Sequence, residues 1–245
     1  MTHMPGLLRS LARKTGFTAK RCPVCGVVTN ESGHMCAACA EAIPFRTGGY
    51  CPSCGAMSGR ADAPPSQCPE CRLAPPPWDS LYFHGRYAES LRDLIISYKF
   101  NNSFGRNHLL SILACTTFQS RNARIPDIII PVPLHTRRLL WRGFNQSLEI
   151  AKALGKELER PVLKDGLTRI RNTPPQTQFG HKERQENIKN AFATKKQCIA
   201  EQTVLLVDDV YTTGATLREC ARTVKRAGAL GVDVLVLARA QQEPC

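Results

Sequence analysis

The sequence predicts an α/β protein in which a doubly wound, mainly parallel sheet follows a small cysteine-rich zinc-binding module. Three observations lead to this fold class. Eight cysteines form four Cys-x-x-Cys pairs in the first third of the chain. Continuously apolar segments then alternate with segments of helical periodicity, as in parallel sheets that helices cover on both faces. Finally, a run of carboxylates and threonines follows one of the apolar segments.

The size and composition suit a protein with a buried core. The chain has 245 residues, enough for one full domain with a small appendage, and 42% of them are hydrophobic. No apolar run approaches the roughly 18 residues that a membrane-spanning helix requires. The basic segment over residues 1–21 lacks the continuous apolar core of a secretory signal. This segment is expected to be either a solvated terminus or a short amphipathic helix. We therefore expect no membrane span and a cytoplasmic location.

The cysteine pairs predict zinc sites. A two-residue gap lets both thiolates of a pair face one tetrahedral ion, and two pairs complete a four-thiolate site. Without a secretory signal a disulfide framework is disfavoured, and four repeats of the motif suit metal ligation better than redox chemistry. We expect one or two structural Zn²⁺ ions, with neighbouring pairs joined because a crossed arrangement closes longer loops. The ligands would be Cys22, Cys25, Cys36, Cys39, Cys51, Cys54, Cys68 and Cys71.

Proline content suggests where the module ends. Residues 61–77 are rich in proline, which predicts a stiff connector rather than a helix. We place a domain boundary near Trp78. The predicted organisation is a basic segment over residues 1–21, a zinc-binding module with four cysteine pairs over residues 22–78 and an α/β domain over residues 79–245.

Periodicity predicts the elements of the second domain. Apolar residues at Leu91, Leu94, Ile95 and Tyr98 have the spacing of a helix with one buried face. The predicted strands cover residues 81–87, 128–132, 204–207 and 232–238, and the predicted helices cover residues 88–99, 107–119, 145–159 and 216–227. Ligands of parallel sheets lie beyond the carboxyl ends of the strands. The segments after residues 132 and 207 are therefore the candidate ligand sites.

The strongest candidate site follows the strand at residues 204–207. Two adjacent carboxylates, Asp208 and Asp209, are costly to bury unless they bind something, and the vicinal hydroxyls of a ribose suit them. The next turn, Thr-Thr-Gly-Ala-Thr, offers hydroxyls and backbone N–H groups at a helix N-terminus, which suits a phosphate. Solvated aspartates before an ordinary threonine cap would explain each feature alone but not the whole run. The run is Val207, Asp208, Asp209, Val210, Tyr211, Thr212, Thr213, Gly214, Ala215 and Thr216.

This run resembles the sugar-phosphate signature of type I phosphoribosyltransferases, and the chain contains no P-loop motif. Other segments resemble the competence protein F family. They are Pro131-Val132-Pro133-Leu134 with Arg137 and Arg138, then Arg142-Gly143-Phe144-Asn145-Gln146, and Arg169-x-Arg171-x-Thr173-x-x-Gln176 followed by Arg184. With the cysteine pairs in front, the resemblance extends from Cys22 to Arg239. It implies that residues 79–245 form a type I phosphoribosyltransferase-like domain.

The resemblance also implies roles for individual residues. Asp208 and Asp209, the candidate catalytic residues, would hold the ribose hydroxyls of phosphoribosyl pyrophosphate (PRPP), and residues 212–216 its 5′-phosphate. Val207 and Val210 would complete the PRPP-binding run. Mg²⁺ would be held mainly by the pyrophosphate. The implied pyrophosphate side comprises Val132, Pro133, Leu134, Arg137 and Arg138, and the further basic and loop candidates are Lys99, Arg142, Asn145, Gln146, Arg169, Arg171, Gln176 and Arg184.

Charge and family together suggest a nucleic-acid partner. The net charge is +13, and residues 134–200 hold fourteen Lys and Arg against six Asp and Glu, so a polyanion is an expected ligand. The family's link to natural transformation implies single-stranded DNA, with the DNA-uptake machinery or a helicase as further candidate partners. Two functions stay open here. One is a phosphoribosyltransferase with an unidentified acceptor, and the other is a catalytically degenerate nucleic-acid-binding protein on the same fold.

Overall fold

The computed structural model describes residues 20–29, 33–58, 60–101, 104–134, 139–140, 143–171, 188–194 and 196–241. In chain order its strands are β1 (Lys20–Arg21), β2 (Val28–Thr29), β3 (Ser80–Arg86), β4 (Ile128–Pro131), β5 (Thr168–Arg169), β6 (Phe192–Ala193), β7 (Thr203–Tyr211) and β8 (Gly231–Arg239). Its helices are α1 (Ala37–Ala42), α2 (Pro69–Leu73), α3 (Glu89–Asn101), α4 (Phe104–Ser120), α5 (Gln146–Leu158) and α6 (Ala215–Arg226).

A four-stranded sheet with the order β3-β8-β7-β4 forms the centre of the molecule. All three strand pairs are parallel. Every residue of β8 is buried, because the sheet is covered on both faces, and its sequence is correspondingly almost continuously apolar. The predicted parallel sheet is therefore confirmed. Among the described helices, none combines the length and the apolar character that crossing a membrane requires.

Each face of the sheet has its own apolar core. On β7, Leu206 belongs to the core beneath α6, whereas Leu205 belongs to the opposite core with α3, α4 and α5. This alternation follows from the two-residue period of a strand. Helix α6 buries Leu217, Cys220, Ala221 and Val224, which recur at helical spacing on one face. Helices on both faces confirm the doubly wound arrangement.

The prediction for β7 is wrong in length. The strand was expected at residues 204–207, but it continues to Tyr211, because pairing with β8 persists as far as Tyr211 opposite Arg239. Asp208 and Asp209 consequently lie inside the strand rather than after it, and both are half-buried. Their backbones are held by the sheet, which restricts where their carboxylates can point.

The prediction of a stiff connector over residues 61–77 is also wrong in part. Helix α2 lies inside this segment and buries Cys71. Its first residue is Pro69, at a position where the missing N–H would have no helical acceptor. The backbone N–H of Ser66 donates to the carbonyl of Tyr50 (3.1 Å), so this segment packs within the cysteine-rich module.

Candidate functional site

The eight paired cysteines form two groups of four, and within each group the sulfurs lie within 4.8 Å of one another. Each group joins pairs that are neighbours in sequence: Cys22, Cys25, Cys36 and Cys39, then Cys51, Cys54, Cys68 and Cys71. The Sγ atoms of Cys25 and Cys36 are 3.7 Å apart, as are those of Cys54 and Cys68. A tetrahedral Zn²⁺ with bonds of about 2.3 Å separates its sulfurs by about 3.8 Å. The spacing therefore fits zinc, and the sequential pairing is confirmed.

In each cysteine group the pKa of one thiol is lowered, whereas the pKa values of Cys36, Cys39, Cys68 and Cys71 are raised. Burial raises the pKa of Cys22, but backbone hydrogen bonds from Cys25, Cys36 and Val24 outweigh it and lower that pKa to about 6. In the second group, burial is likewise outweighed by backbone hydrogen bonds, and the pKa of Cys51 falls to about 7. Four thiolates can share so small a space only beside a cation that offsets their charge.

The purified protein should therefore contain two zinc ions per chain. Cys36→Ser should remove one ion and reduce solubility, because the small module has little apolar core apart from its metal. Elemental analysis of a reduced, chelator-free preparation measures the content. Cys115→Ser, which changes a cysteine outside both groups, should retain two ions. Less than one ion per chain in the unaltered protein would contradict the zinc sites.

Arg239, the last residue of β8, connects the second cysteine group to the segment that follows β7. Its Nε donates to the carbonyl of Cys54 (2.8 Å), and its Nη1 donates to the carbonyls of Thr212 (2.8 Å) and Tyr211 (3.3 Å). The guanidinium also lies 4.1 Å from the centroid of the Tyr211 ring. One buried side chain thus joins the cysteine-rich module to the candidate phosphate turn.

Trp78 supports the same junction. Its indole N–H donates to the carbonyl of Ser53 (2.7 Å), and its ring meets that of Tyr211 edge to face, with centroids 5.8 Å apart. Both rings are buried. The residue at the predicted domain boundary therefore packs between the module and the sheet.

Hydrogen bonds from Ser147 and Asp209 help to hold the Asp208 carboxylate in place. Its Oδ1 accepts from the Ser147 hydroxyl and from the backbone N–H of Asp209, both at 2.9 Å. Ser147 lies in the first turn of α5, so this contact brings the start of α5 to the carboxyl end of β7. The hydrogen bonds leave Asp208 with a fixed orientation beside Asp209.

Asn145 brings the segment after β4 to the same edge of the sheet. Its Oδ1 caps α5 by accepting from the Ser147 N–H (3.0 Å), while its Nδ2 donates to the carbonyl of Val132 (3.2 Å). Val132 in turn donates its N–H to the carbonyl of Val207 (2.9 Å). Pro133 and Leu134, which continue from Val132, and the buried Gln146 thus lie next to the candidate site.

The turn between β7 and α6 requires glycine at position 214. Gly214 has φ +75°, and a Cβ atom there would lie 2.3 Å from Cε2 of Tyr211. Gly214 is also the N-cap of α6, and it offers no side-chain oxygen to the first N–H groups of that helix. An N-terminus of this kind attracts an anion, because its backbone N–H groups and the helix dipole both point toward it. The turn formed by residues 212–216 can therefore hold a phosphate.

Two of the sequence-predicted basic residues contact the segment over residues 188–194. Arg169 lies over the ring of Phe192, 5.6 Å from its centroid, and Arg171 donates to the carbonyl of Lys189 (2.6 Å). The following candidates lie outside the described residues: Arg137, Arg138, Arg142, Gln176 and Arg184. For Lys99 only the helical backbone is described.

Two residues of the site were missed by sequence reasoning. Ser147 follows directly on the Asn145-Gln146 dipeptide, and its place beside a cap was the available signal. Arg239 ends an apolar strand, where an isolated charge indicates a specific partner or an exposed end. Neither signal predicts which residues Ser147 and Arg239 contact.

The chain matches two family models, the double zinc ribbon domain over residues 17–73 and the phosphoribosyl transferase domain over residues 145–244. It is 33% identical over 212 residues to competence protein F of Haemophilus influenzae, covering 84% of this chain and 90% of that protein. DNA utilization protein YhgH of Escherichia coli is 34% identical over 216 residues, covering 84% and 92%. Competence protein ComFC of Bacillus subtilis is 26% identical over 209 residues, covering 79% of each. The chain therefore belongs to the competence protein F family, with a phosphoribosyltransferase domain behind a double zinc ribbon.

Proposed function

We propose that this protein binds PRPP together with Mg²⁺ and transfers the phosphoribosyl group to an acceptor while single-stranded DNA is handled during natural transformation. The observation that carries the proposal is the junction at the carboxyl ends of β4 and β7. There an oriented carboxylate, Asp208, lies between a capped helix start at Ser147 and a glycine turn at Gly214.

The carboxylates suit the ribose. Because Ser147 and the Asp209 N–H hold the Asp208 carboxylate in one orientation, little reorganisation is needed before it meets a ligand. Asp208 and Asp209 then accept hydrogen bonds from the two vicinal hydroxyls. Both residues are half-buried, which strengthens such charge-assisted bonds relative to those in water.

The two turns suit the phosphates. In the proposal, residues 212–216 receive the 5′-phosphate at the start of α6, and Val132, Pro133 and Leu134 lie on the pyrophosphate side. Arg137 and Arg138 supply positive charge to the leaving group. Mg²⁺ enters with the pyrophosphate, which provides most of its oxygen ligands.

The proposed chemistry is a displacement at C1 of the ribose. A nucleophile on the acceptor forms a bond to C1, while the bond from C1 to the pyrophosphate oxygen breaks and pyrophosphate leaves with the electron pair. The nucleophile gives up its proton to solvent. Positive charge develops on the sugar ring in the transition state, and the carboxylates of Asp208 and Asp209 favour that charge.

The DNA role rests on charge and on relatives. The net charge of +13 favours a polyanionic ligand. The relatives include proteins named for competence and for DNA utilization. A cytoplasmic location fits both ligands. The second candidate function is that of a catalytically degenerate nucleic-acid-binding protein on the same fold, since the same charge favours it.

A titration with PRPP and Mg²⁺ distinguishes these functions. We expect calorimetry to detect PRPP binding, and a pyrophosphate assay to detect release when single-stranded oligonucleotide or cell extract supplies an acceptor. Binding without release from any acceptor would favour the degenerate protein. Absence of PRPP binding by zinc-loaded protein would contradict the transferase and favour the degenerate nucleic-acid-binding protein.

A further inference from the structure

We propose that a groove along α6, on the side facing residues 188–190, is the surface that binds the backbone of single-stranded DNA. This inference rests on the DNA role in the proposed function and assigns it to a definite surface. The groove encloses about 390 Å³ and is lined by Ile188, Lys189, Asn190, Ala215, Arg218, Glu219, Arg222 and Arg226. We call it the arginine groove.

The arginines form a regular row. Arg218, Arg222 and Arg226 are four residues apart on α6, so they lie on one face and rise about 6 Å from one to the next. The side chains of Arg222 and Arg226 are 58% and 61% exposed. Lys189 adds an exposed charge from the opposite wall. Such a row can follow successive phosphates of an extended strand.

One buried carboxylate, that of Glu219, contacts two arginines of the row but neutralises only part of their charge. Glu219 accepts from the Asn190 N–H (3.0 Å) and from Arg226 (3.3 Å), and its Oε2 lies 3.8 Å from Arg222. Its side chain is 5% exposed, so it serves the internal contacts. Among the described lining residues, four cations stand against one carboxylate, so this lining carries a net positive charge. The neighbouring Lys225 pairs instead with Asp79 (3.0 Å).

The lining favours a nucleic-acid backbone over a protein. Protein interfaces usually centre on apolar or aromatic anchors, whereas the apolar lining residues Ile188 and Ala215 are buried. Trp78, which Arg218 overlies at 5.5 Å, is buried too and cannot stack on a base. Binding should therefore depend on charge, with little sequence preference.

The test compares two triple variants that each remove three positive charges. Lys189→Gln, Arg218→Gln and Arg222→Gln alter the arginine groove while keeping Arg226 for Glu219. Lys156→Gln, Arg160→Gln and Lys164→Gln alter exposed positions elsewhere and serve as the control. Fluorescence anisotropy with a labelled oligodeoxythymidine gives the affinity at several salt concentrations. The groove variant should bind at least about tenfold more weakly at low salt, with a log–log salt slope reduced by about 2.

Each outcome decides a separate point. If the unaltered protein binds DNA and the groove variant has the same affinity as the control, DNA does not bind in the arginine groove, and the inference would be overturned. No DNA binding by the unaltered protein would instead overturn the DNA role in the proposed function. If the triple variant does not fold, Lys189→Glu alone should still weaken DNA binding at least about fivefold. Unchanged DNA affinity of this single variant would contradict the assignment of DNA binding to the groove.

Discussion

Replacing Asp208 and Asp209 together by asparagine should weaken the binding of PRPP with Mg²⁺ by about tenfold or more. A hydrogen bond to a charged group contributes about 1.5–3 kcal/mol, and the double variant weakens one such bond at each ribose hydroxyl. Asparagine keeps the size of the side chain, so the sheet should remain intact. Isothermal titration calorimetry at constant Mg²⁺ measures the affinity, and thermal unfolding measures the stability.

Two further variants make this experiment specific. Asp165→Asn removes the same charge from an exposed position and should leave the affinity unchanged. Ser147→Ala removes the hydroxyl that donates to Asp208 and should weaken PRPP binding about fivefold, because the carboxylate then keeps the bond from the Asp209 N–H but loses that from Ser147. A double aspartate variant with normal folding and normal affinity would mean that PRPP does not bind at these carboxylates.

Arg239→Met should lower the free energy of unfolding by about 3 kcal/mol or more. The substitution keeps the apolar stem but removes the charge-assisted hydrogen bonds to the carbonyls of Cys54 and Thr212, each of which contributes about 1.5–3 kcal/mol. The Tyr211 carbonyl keeps its bond from the Ala240 N–H (2.8 Å). Urea unfolding followed by tryptophan fluorescence measures the change, since Trp78 packs against Tyr211.

Arg86→Met is the matched control for Arg239→Met. Arg86 lies opposite Arg239 in the neighbouring strand but is exposed, so its loss should change the stability little. Zinc content should stay at two ions in both variants, because no sulfur ligand is altered. PRPP affinity should fall only in Arg239→Met, about tenfold, because the phosphate turn loses the hydrogen bond that holds the Thr212 carbonyl. Equal stability of the two variants would contradict the role of Arg239 in connecting the cysteine-rich module to the turn over residues 212–216.

The local features of this protein could be predicted from the sequence because their causes are local. A continuous apolar run such as residues 128–130 is typical of a strand in a sheet that is covered on both faces. The two-residue spacing of a Cys-x-x-Cys pair lets both thiolates bind one metal ion. Joining neighbouring pairs in one site closes the shortest loops. The parallel sheet, its flanking helices and both cysteine groups follow from these two kinds of pattern.

The remaining features depend on partners that are distant in the sequence. The full length of β7 results from pairing with β8, which overrides the low strand propensity of Asp208 and Asp209. Helix α2 forms in a proline-rich segment, where the ligand geometry of Cys68 and Cys71 fixes the backbone. Arg239 lies 185 residues from Cys54, and no local pattern announces such a contact.

A crystal structure of the zinc-loaded protein soaked with PRPP and Mg²⁺ tests the central proposal most directly. We predict density for the 5′-phosphate within hydrogen-bonding distance of backbone N–H groups in residues 212–216. The ribose hydroxyls should lie against the carboxylates of Asp208 and Asp209, with the pyrophosphate beside Val132. PRPP density anywhere else, such as in the arginine groove, with the turn at Gly214 left without ligand would contradict the proposed site.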